Sequence, residues 1–127
     1  MKKIAVLIAA GSGMGADAAK CLSKNGFKIA VMSSSSKATK LAKKLNGMGY
    51  IGSNLKNNQL KEFIDLVYKK WGRIDVVVNS AGHGPKGEIL KINDKDWMIA
   101  METYFLNVVR VCRIVTPIMK KQKKGSI

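Results

Sequence analysis

The 127-residue sequence contains little cysteine, little proline and few aromatic residues. Its two cysteines, Cys21 and Cys112, lie far apart and form no Cys-x-x-Cys or Cys/His pattern. This argues against a zinc site and against a secreted disulfide framework. A composition of 46% apolar and 24% charged residues is typical of a globular protein. We therefore expect one domain over residues 1–127, without a metal site, in a reducing cytoplasmic setting.

Acidic residues are also scarce. Eight Asp and Glu residues stand against 23 Lys and Arg, which gives a net charge of +15. Nucleic-acid readers use arginine for bidentate contacts and aromatic rings for stacking. Here three of the cations are arginine and 6% of the residues are aromatic. We expect a solvated lysine-rich surface with a general attraction to polyanions, and nucleic-acid binding is the less favoured alternative.

No hydrophobic run is long enough to cross a membrane. The longest, Ile4–Ala10, has seven residues and follows Lys2 and Lys3, so it imitates the shortest signal peptides. It leads directly into a glycine-rich turn at residues 11–15 and then into a helix-like pattern. We interpret the run as a buried first strand and expect no association with a membrane.

Short apolar segments alternate with amphipathic ones along the chain. The pattern predicts strands at Ile4–Ala9, Ile29–Met32, Tyr50–Ile51 and Ile74–Val78, and helices at Ala16–Lys24, Ala38–Leu45, Leu60–Trp71 and Asp94–Gln122. Such alternation indicates an α/β fold, a Rossmann-like doubly wound parallel sheet with helices on both faces. The last helix is apolar almost all round, so we expect it to be covered on several sides. A homo-oligomer through Trp97 to Ile118 is one way to cover it.

The glycine-rich turn carries the clearest functional pattern. Gly11, Gly13 and Ala16 form Gly-x-Gly-x-x-Ala between a predicted strand and a predicted helix. Small residues there let a pyrophosphate approach backbone N–H groups at a helix N-terminus. Tight turns also need glycine for conformational reasons alone, and this alternative stays open. The candidate phosphate-binding residues are Gly11, Ser12, Gly13, Met14 and Gly15.

A serine run follows the second predicted strand, where NAD-selective sites carry an acid for the ribose 2′-hydroxyl. Here the window is Ser33, Ser34, Ser35 and Ser36, followed by Lys37, and no acid occurs between Asp17 and Glu62. Hydroxyl groups and a cation suit a 2′-phosphate, so Ser33, Ser34 and Lys37 favour NADP over NAD, which remains possible. The alternative is a flexible turn.

The segment from Asp75 to Gly82 resembles the Asp...Asn-Asn-Ala-Gly segment of the short-chain dehydrogenase/reductase family. Gly13–Gly15 match the end of the family's Thr-Gly-x-x-x-Gly-x-Gly pattern, and Ile8 and Ala9 stand where Thr and the first Gly usually are. The resemblance covers the whole chain. It implies NAD(P)-dependent oxidoreduction of a small carbonyl or alcohol substrate. It adds Asn54, Leu55, Asn79, Ala81 and Gly82 to the candidate cofactor-binding residues.

The catalytic residues of that family are absent from this sequence. They are a Ser and a Tyr-x-x-x-Lys beyond Ile127, and none of Tyr50, Tyr68 or Tyr104 has Lys four positions later. Tyr104 stands where the family has its helix Asn, and Asn107 follows one turn later. We assign no catalytic residue and expect the cofactor-binding half of an NADP-preferring reductase, inactive alone. Its sheet would be incomplete at the C-terminal end, with the edge of the fourth strand unpaired. The alternative is a non-catalytic nucleotide-binding or interaction module.

Overall fold

The computed structural model describes residues 1–80 and 82–127. Its elements in chain order are β1 (Ile4–Ile8), α1 (Gly13–Lys24), β2 (Lys28–Ser33), α2 (Lys37–Lys44), β3 (Met48–Ile51), α3 (Asn57–Trp71), β4 (Val76–Asn79), α4 (Asp94–Met101), a π-helical segment that we call the π-turn (Glu102–Leu106), and α5 (Asn107–Gln122). The strands form a four-stranded parallel sheet in the order β3-β2-β1-β4. The predicted Rossmann-like α/β fold is confirmed.

Helices cover both faces of this sheet. All of β1 is buried, and its residues divide between two apolar clusters. Val6 and Ile8 belong to the cluster that contains α3 and α5, whereas Ala5 and Leu7 belong to the one with α1 and α2. This explains why β1 is apolar throughout, since a strand buried on both faces has no polar side.

Several element boundaries differ from the sequence-based prediction. The strand β1 ends at Ile8 because Ala9 takes a positive φ of 55°, which is incompatible with an extended strand. Helix α1 begins at Gly13, so the end of the glycine-rich turn forms its first turn. Strand β4 covers Val76–Asn79, two residues later than its predicted start at Ile74.

The predicted helix from Asp94 to Gln122 is not one continuous α-helix. At the π-turn, Asn107 N–H donates to the carbonyl of Glu102, five residues back. Helix α4 has no buried residue, and α5 buries one stripe ending at Met119. Within the described residues the chain itself therefore covers one face of α5, and the expectation that a partner subunit covers further sides stays a prediction.

The outer edge of β4 is partly paired, which corrects the expectation of an open edge. Val77 N–H donates to the carbonyl of Ser126 at 2.9 Å, and Ser126 N–H donates to that of Asp75 at 3.0 Å. The side chain of Gln122 also bonds both backbone groups of Ile74, at 2.9 and 2.8 Å. The end of the chain thus lies parallel to β4.

Among the helices of residues 1–80 and 82–127, none is both long enough and apolar enough to cross a membrane. The same residues contain no group of three or more His, Cys, Asp or Glu side chains that could hold a metal ion. Both cysteines are free thiols; Cys21 is exposed and Cys112 is half-buried.

Candidate functional site

Two clefts flank the turn between β1 and α1. This turn lies where the strand order reverses, between β1 and β4, and doubly wound folds bind dinucleotides across that reversal. The β2-side cleft, of about 360 Å³, is lined by Gly11, Ser12, Gly13, Ala16, Asp17, Lys20, Lys37, Lys40, Leu41 and Lys44. The β4-side cleft, of about 580 Å³, is lined by Met14, Gly15, Ala18, Val78, Asn79, Ser80, Gly82, His83 and Tyr104.

Glycine is required at three positions of the turn for different structural reasons. A Cβ on Gly11 would lie 2.7 Å from Ser33 Oγ, and a Cβ on Gly15 would lie 2.7 Å from the Cβ of Ala10. Gly13 has a φ of +58°, and no atom other than those of its chain neighbours and its own helix backbone lies within 4 Å of the place its Cβ would take. Conformation and packing thus account for all three glycines. The space over Gly13 is nevertheless open to a ligand.

The N-terminus of α1 is available to an anion. Its N-cap residue, Ser12, makes no side-chain capping bond, and the first turn contains no acid. Helix α4 differs, because Asn93 Oδ1 accepts from Asp96 N–H at 2.9 Å and two acids occupy the first turn. The first N–H groups of a helix lack intrahelical acceptors and carry a partial positive charge. In α1 these groups face a turn of small residues.

Of residues 33–37, only Lys37 lines the β2-side cleft. Ser34 and Lys37 are exposed, and a Cβ on Gly11 would lie 3.0 Å from Lys37 Cβ, so the lysine adjoins the glycine-rich turn. Ser33 is different. Its hydroxyl donates to the carbonyl of Ser35 at 2.9 Å and accepts from Ala38 N–H at 3.2 Å. The Ser33 hydroxyl therefore shapes the start of α2.

Three further lysines line the β2-side cleft, and the sequence reasoning missed them. Lys40 and Lys44 follow Lys37 at helical spacing, so all three lie on one face of α2. Lys20 reaches the cleft from α1 and donates to Asp17 at 2.8 Å. That ion pair neutralises the one carboxylate among the residues that line this cleft. The i, i+3, i+7 spacing was the available signal, but lysines occur throughout this sequence.

Asn54 meets a buried partner that lies far away in the sequence. Its Nδ2 donates to Asn107 Oδ1 at 2.9 Å, and Asn107 is 1% exposed at the start of α5. Asn107 Nδ2 is buried without a hydrogen-bond partner among the described residues. Leu55 is partly exposed in the same loop after β3. The hydrogen bond ties this loop, which belongs to the carboxyl edge of the sheet, to α5.

The end of β4 forms one wall of the β4-side cleft. Asn79 pairs with Ile8 in the sheet, and neither atom of its side-chain amide finds a hydrogen-bond partner within residues 1–80 and 82–127. Gly82 and His83 also line this cleft, whereas the candidate Ala81 lies outside the described residues. A buried amide without partners is unfavourable, so Asn79 has donors and an acceptor to offer to a ligand or to water.

Tyr50 and Asp75 have shifted pKa values, and neither residue lines either cleft. A hydrogen bond with Glu62 raises the pKa of Tyr50 to about 12. The pKa of Asp75 is lowered: burial acts to raise it, but the hydrogen bonds from Arg73 and Ile4 and nearby positive charge outweigh burial. The lysines of the β2-side cleft and the uncapped N-terminus of α1 suit the binding of an anionic ligand.

Comparison with known proteins agrees with this geometry. A family model described as short chain dehydrogenase matches residues 3–127. The 3-oxoacyl-[acyl-carrier-protein] reductase FabG of Thermotoga maritima is 30% identical over 131 residues, covering 98% of this chain and 53% of that protein. Its Staphylococcus epidermidis counterpart is 29% identical over 134 residues, covering 100% and 55%.

Solved structures give the same result for the fold. A variant of actinorhodin polyketide ketoreductase with NADPH superposes with a TM-score of 0.90 at 24% identity, covering 98% of this chain and 51% of that one. An ElxO variant with NADPH bound gives 0.88 at 25% identity, covering 98% and 53%. The chain spans about half the length of the curated relatives that it matches.

Proposed function

Because the chain belongs to the short-chain dehydrogenase family, we propose that it binds a nicotinamide dinucleotide, NADP in preference to NAD. In this proposal it supplies the cofactor-binding part of an oxidoreductase that acts on a carbonyl or alcohol substrate. The 3-oxoacyl reductases and the ketoreductase with NADPH, which this chain resembles, support a reaction of that class. The cofactor, when bound, supplies hydride transfer.

One observation carries the proposal: an uncapped helix N-terminus behind a turn of small residues separates two clefts at the strand-order reversal. The residues present fit a dinucleotide. The α1 amide groups and the open space over Gly13 suit a pyrophosphate. One nucleotide half would occupy each cleft, and Asn54 lies after β3 at the carboxyl edge of the sheet, where the adenine would be contacted.

The preference for NADP rests on the charge of the β2-side cleft. Lys37, Lys40 and Lys44 line it from α2, and its carboxylate, Asp17, is paired with Lys20. A ribose 2′-hydroxyl would find no unpaired carboxylate among the residues that line this cleft, whereas a 2′-phosphate would find several ammonium groups. Lys37 adjoins the turn and Ser34 is exposed three residues before it, and we propose that these two residues bind the phosphate.

The preference is tested with the adenosine fragments of the two cofactors. We expect Lys37→Asp to weaken adenosine 2′,5′-bisphosphate binding about tenfold, because two charge units change near a phosphate at the protein surface. ADP binding should change much less. Ser34→Asp should act in the same direction. The measurement is isothermal titration calorimetry of the 127-residue chain.

Lys43→Asp is the matched control, because Lys43 lies on the same helix but is not among the residues lining the cleft. It changes the net charge by the same amount. If both lysine variants weaken the bisphosphate equally, the effect is general electrostatics and the assignment of Lys37 is wrong. Equal affinity before and after the Ser34 and Lys37 changes would remove the argument for NADP.

We further propose that the 127-residue chain alone does not catalyse, since no Tyr-x-x-x-Lys occurs in its sequence. Without a proton donor at the carbonyl oxygen, hydride transfer would leave an unprotonated alkoxide. NADPH with a 3-oxoacyl thioester should show no oxidation at 340 nm above the rate without protein. Turnover by the isolated chain would contradict this proposal.

The exposed apolar side chains of α4, the π-turn and α5 support a homo-oligomer through Trp97 to Ile118. Trp97, Phe105 and Val108 are each more than 40% exposed. Large exposed apolar groups close together mark interaction surfaces. We propose that a second copy covers them, in a cytoplasmic protein with free thiols. Sedimentation velocity should show a dimer or larger species that Val108→Glu dissociates, and a monomeric wild-type chain would contradict the proposal.

A further inference from the structure

The π-turn brings a tyrosine to the β4-side cleft. Its wide turn is held by Thr103, whose hydroxyl donates to the Ile99 carbonyl at 2.8 Å, and by the ion pair of Arg110 with Glu102 at 2.5 Å. Thr103 and Asn107 are buried, whereas Tyr104 is about half exposed and lines the cleft. π-Helical turns inside α-helices occur frequently at functional sites.

Tyr104 makes two separate contacts with Gly84, in the loop after β4. The phenol oxygen accepts a hydrogen bond from Gly84 N–H at 2.7 Å. The aromatic ring also fills the place of a side chain on Gly84, because a Cβ there would lie 2.5 Å from Tyr104 Cε2. Over residues 82–87, this is the one hydrogen bond recorded between the described loop and another element. Tyr104 therefore holds the loop at its middle.

The loop held in this way belongs to the second half of the proposed cofactor site. Gly82 and His83 line the β4-side cleft together with Tyr104. The lysines lie in the β2-side cleft, on the other side of α1's first turn. A dinucleotide that crosses the strand-order reversal with its adenosine half among the lysines would place its nicotinamide half against Tyr104 and this loop.

We propose that Tyr104 is a positioning residue that holds the 82–87 loop as one wall of the nicotinamide-binding half of the site. The inference rests on the proposed function. A loop already held in place loses less conformational entropy when a ligand binds, so the contact raises affinity for that half of the dinucleotide. The phenol O–H also remains able to donate, because the oxygen acts as acceptor toward Gly84.

The test compares a whole cofactor with its adenosine fragment. Tyr104→Phe keeps the ring and removes the oxygen that accepts from Gly84. We expect the Kd of NADP⁺ to rise about 3- to 10-fold, as for the loss of one hydrogen bond, and the Kd of adenosine 2′,5′-bisphosphate to change less than about twofold. Tyr68→Phe is the matched control, since Tyr68 lies on α3 outside both clefts.

A second pair of variants tests the ring contact in the same loop. Gly84→Ala places a methyl group against the Tyr104 ring and should weaken NADP⁺ binding as Tyr104→Phe does. Asn58→Ala is the control, because Asn58 is exposed on α3, lies outside both clefts and its replacement changes no charge. We expect it to leave the affinities for both ligands unchanged. Equal effects of the two alanines on NADP⁺ binding would contradict the assignment.

The outcomes separate this inference from the proposed function. If the wild-type chain binds the bisphosphate but Tyr104→Phe leaves NADP⁺ binding unchanged, or weakens both ligands equally, the role of Tyr104 is refuted and the proposed function stands. If the wild-type chain binds neither ligand, the proposed function fails and this inference fails with it. Amide exchange tests the contact without ligand: Gly84 N–H should exchange at least about tenfold faster in Tyr104→Phe.

Discussion

Asp75 connects the starts of β1 and β4, and its replacement by asparagine should be severely destabilising. Asp75 is 6% exposed, and its carboxylate accepts from Ile4 N–H at 2.8 Å. It also accepts from Arg73 Nε at 2.9 Å and from Arg73 Nη2 at 2.5 Å. Three donors thus converge on one side chain that lies almost out of contact with water.

The magnitude follows from these three bonds. In Asp75→Asn, one oxygen becomes an NH₂ group that faces a donor, and the charge opposite Arg73 is lost. A hydrogen bond to a charged group contributes about 1.5–3 kcal/mol, and breaking a fully buried ion pair costs about 3–5 kcal/mol. The Arg73 side chain is 30% exposed, so water compensates in part. We expect a loss of about 2–4 kcal/mol in the free energy of unfolding at pH 7.

The loss should depend on pH in a defined direction. Burial acts to raise the pKa of Asp75, but the Arg73 and Ile4 hydrogen bonds, together with the charges of Arg73 and Lys3, lower it below the ordinary 3.8. A carboxylate with a lowered folded-state pKa stabilises the protein above its unfolded pKa, and this contribution is lost as the pH falls through the folded value. The difference between wild type and variant should therefore be constant near neutrality and shrink below about pH 4.

The assay is urea denaturation followed by circular dichroism at pH 7 and near pH 3. Asp65→Asn is the matched control, because it removes a carboxylate that is paired with Lys61 but 58% exposed. Pairs of this kind contribute about 0–1 kcal/mol. A loss below about 1 kcal/mol for Asp75→Asn at pH 7, or a difference from wild type that does not narrow in acid, would refute the reasoning.

Two further predictions concern the backbone before the turn and the core. Ala9→Gly should stabilise by about 0.5–1 kcal/mol, because Ala9 has a φ of 55° where glycine is less strained. Ala10→Gly is the control and should destabilise the protein, because Ala10 is buried against Gly15. If both variants raised the melting temperature, the backbone argument would be contradicted. Phe63→Ala should lose about 3–5 kcal/mol in urea denaturation, because the ring is fully buried, and a loss below about 2 kcal/mol would show that the core refills the space.

The framework of the candidate site could be predicted from the sequence more fully than its contacts. The turn at Gly11–Gly15 was identified because glycine readily adopts backbone conformations with a positive φ, which tight turns need. Gly13 has such a conformation. Ser33 shows the limit of such reasoning. It was predicted to follow the second strand but is the last residue of β2, and its hydroxyl bonds Ser35 and Ala38, which depends on how α2 begins.

Ala9 illustrates a local departure whose consequence appears only in the structure. The resemblance places it where the family usually has glycine, and the backbone there has a positive φ. Alanine can adopt this conformation at a cost of about 1–2 kcal/mol, which the buried strand before it and the helix after it compensate. Alanine at this position therefore adds backbone strain but does not alter the turn.

The sequence by itself determined the alternation of strands and helices, the parallel sheet and the position of the glycine-rich turn between β1 and α1. These features depend on the spacing of apolar residues along the sequence and on local backbone preferences. Both can be recognised from residues that are close together in the chain. The tertiary structure decided the contact of Asn54 with Asn107, 53 residues away, and of Gly84 with Tyr104, 20 residues away. A hydrogen bond forms only when donor and acceptor lie within about 3 Å, and only the packing of the helices against the sheet sets that separation.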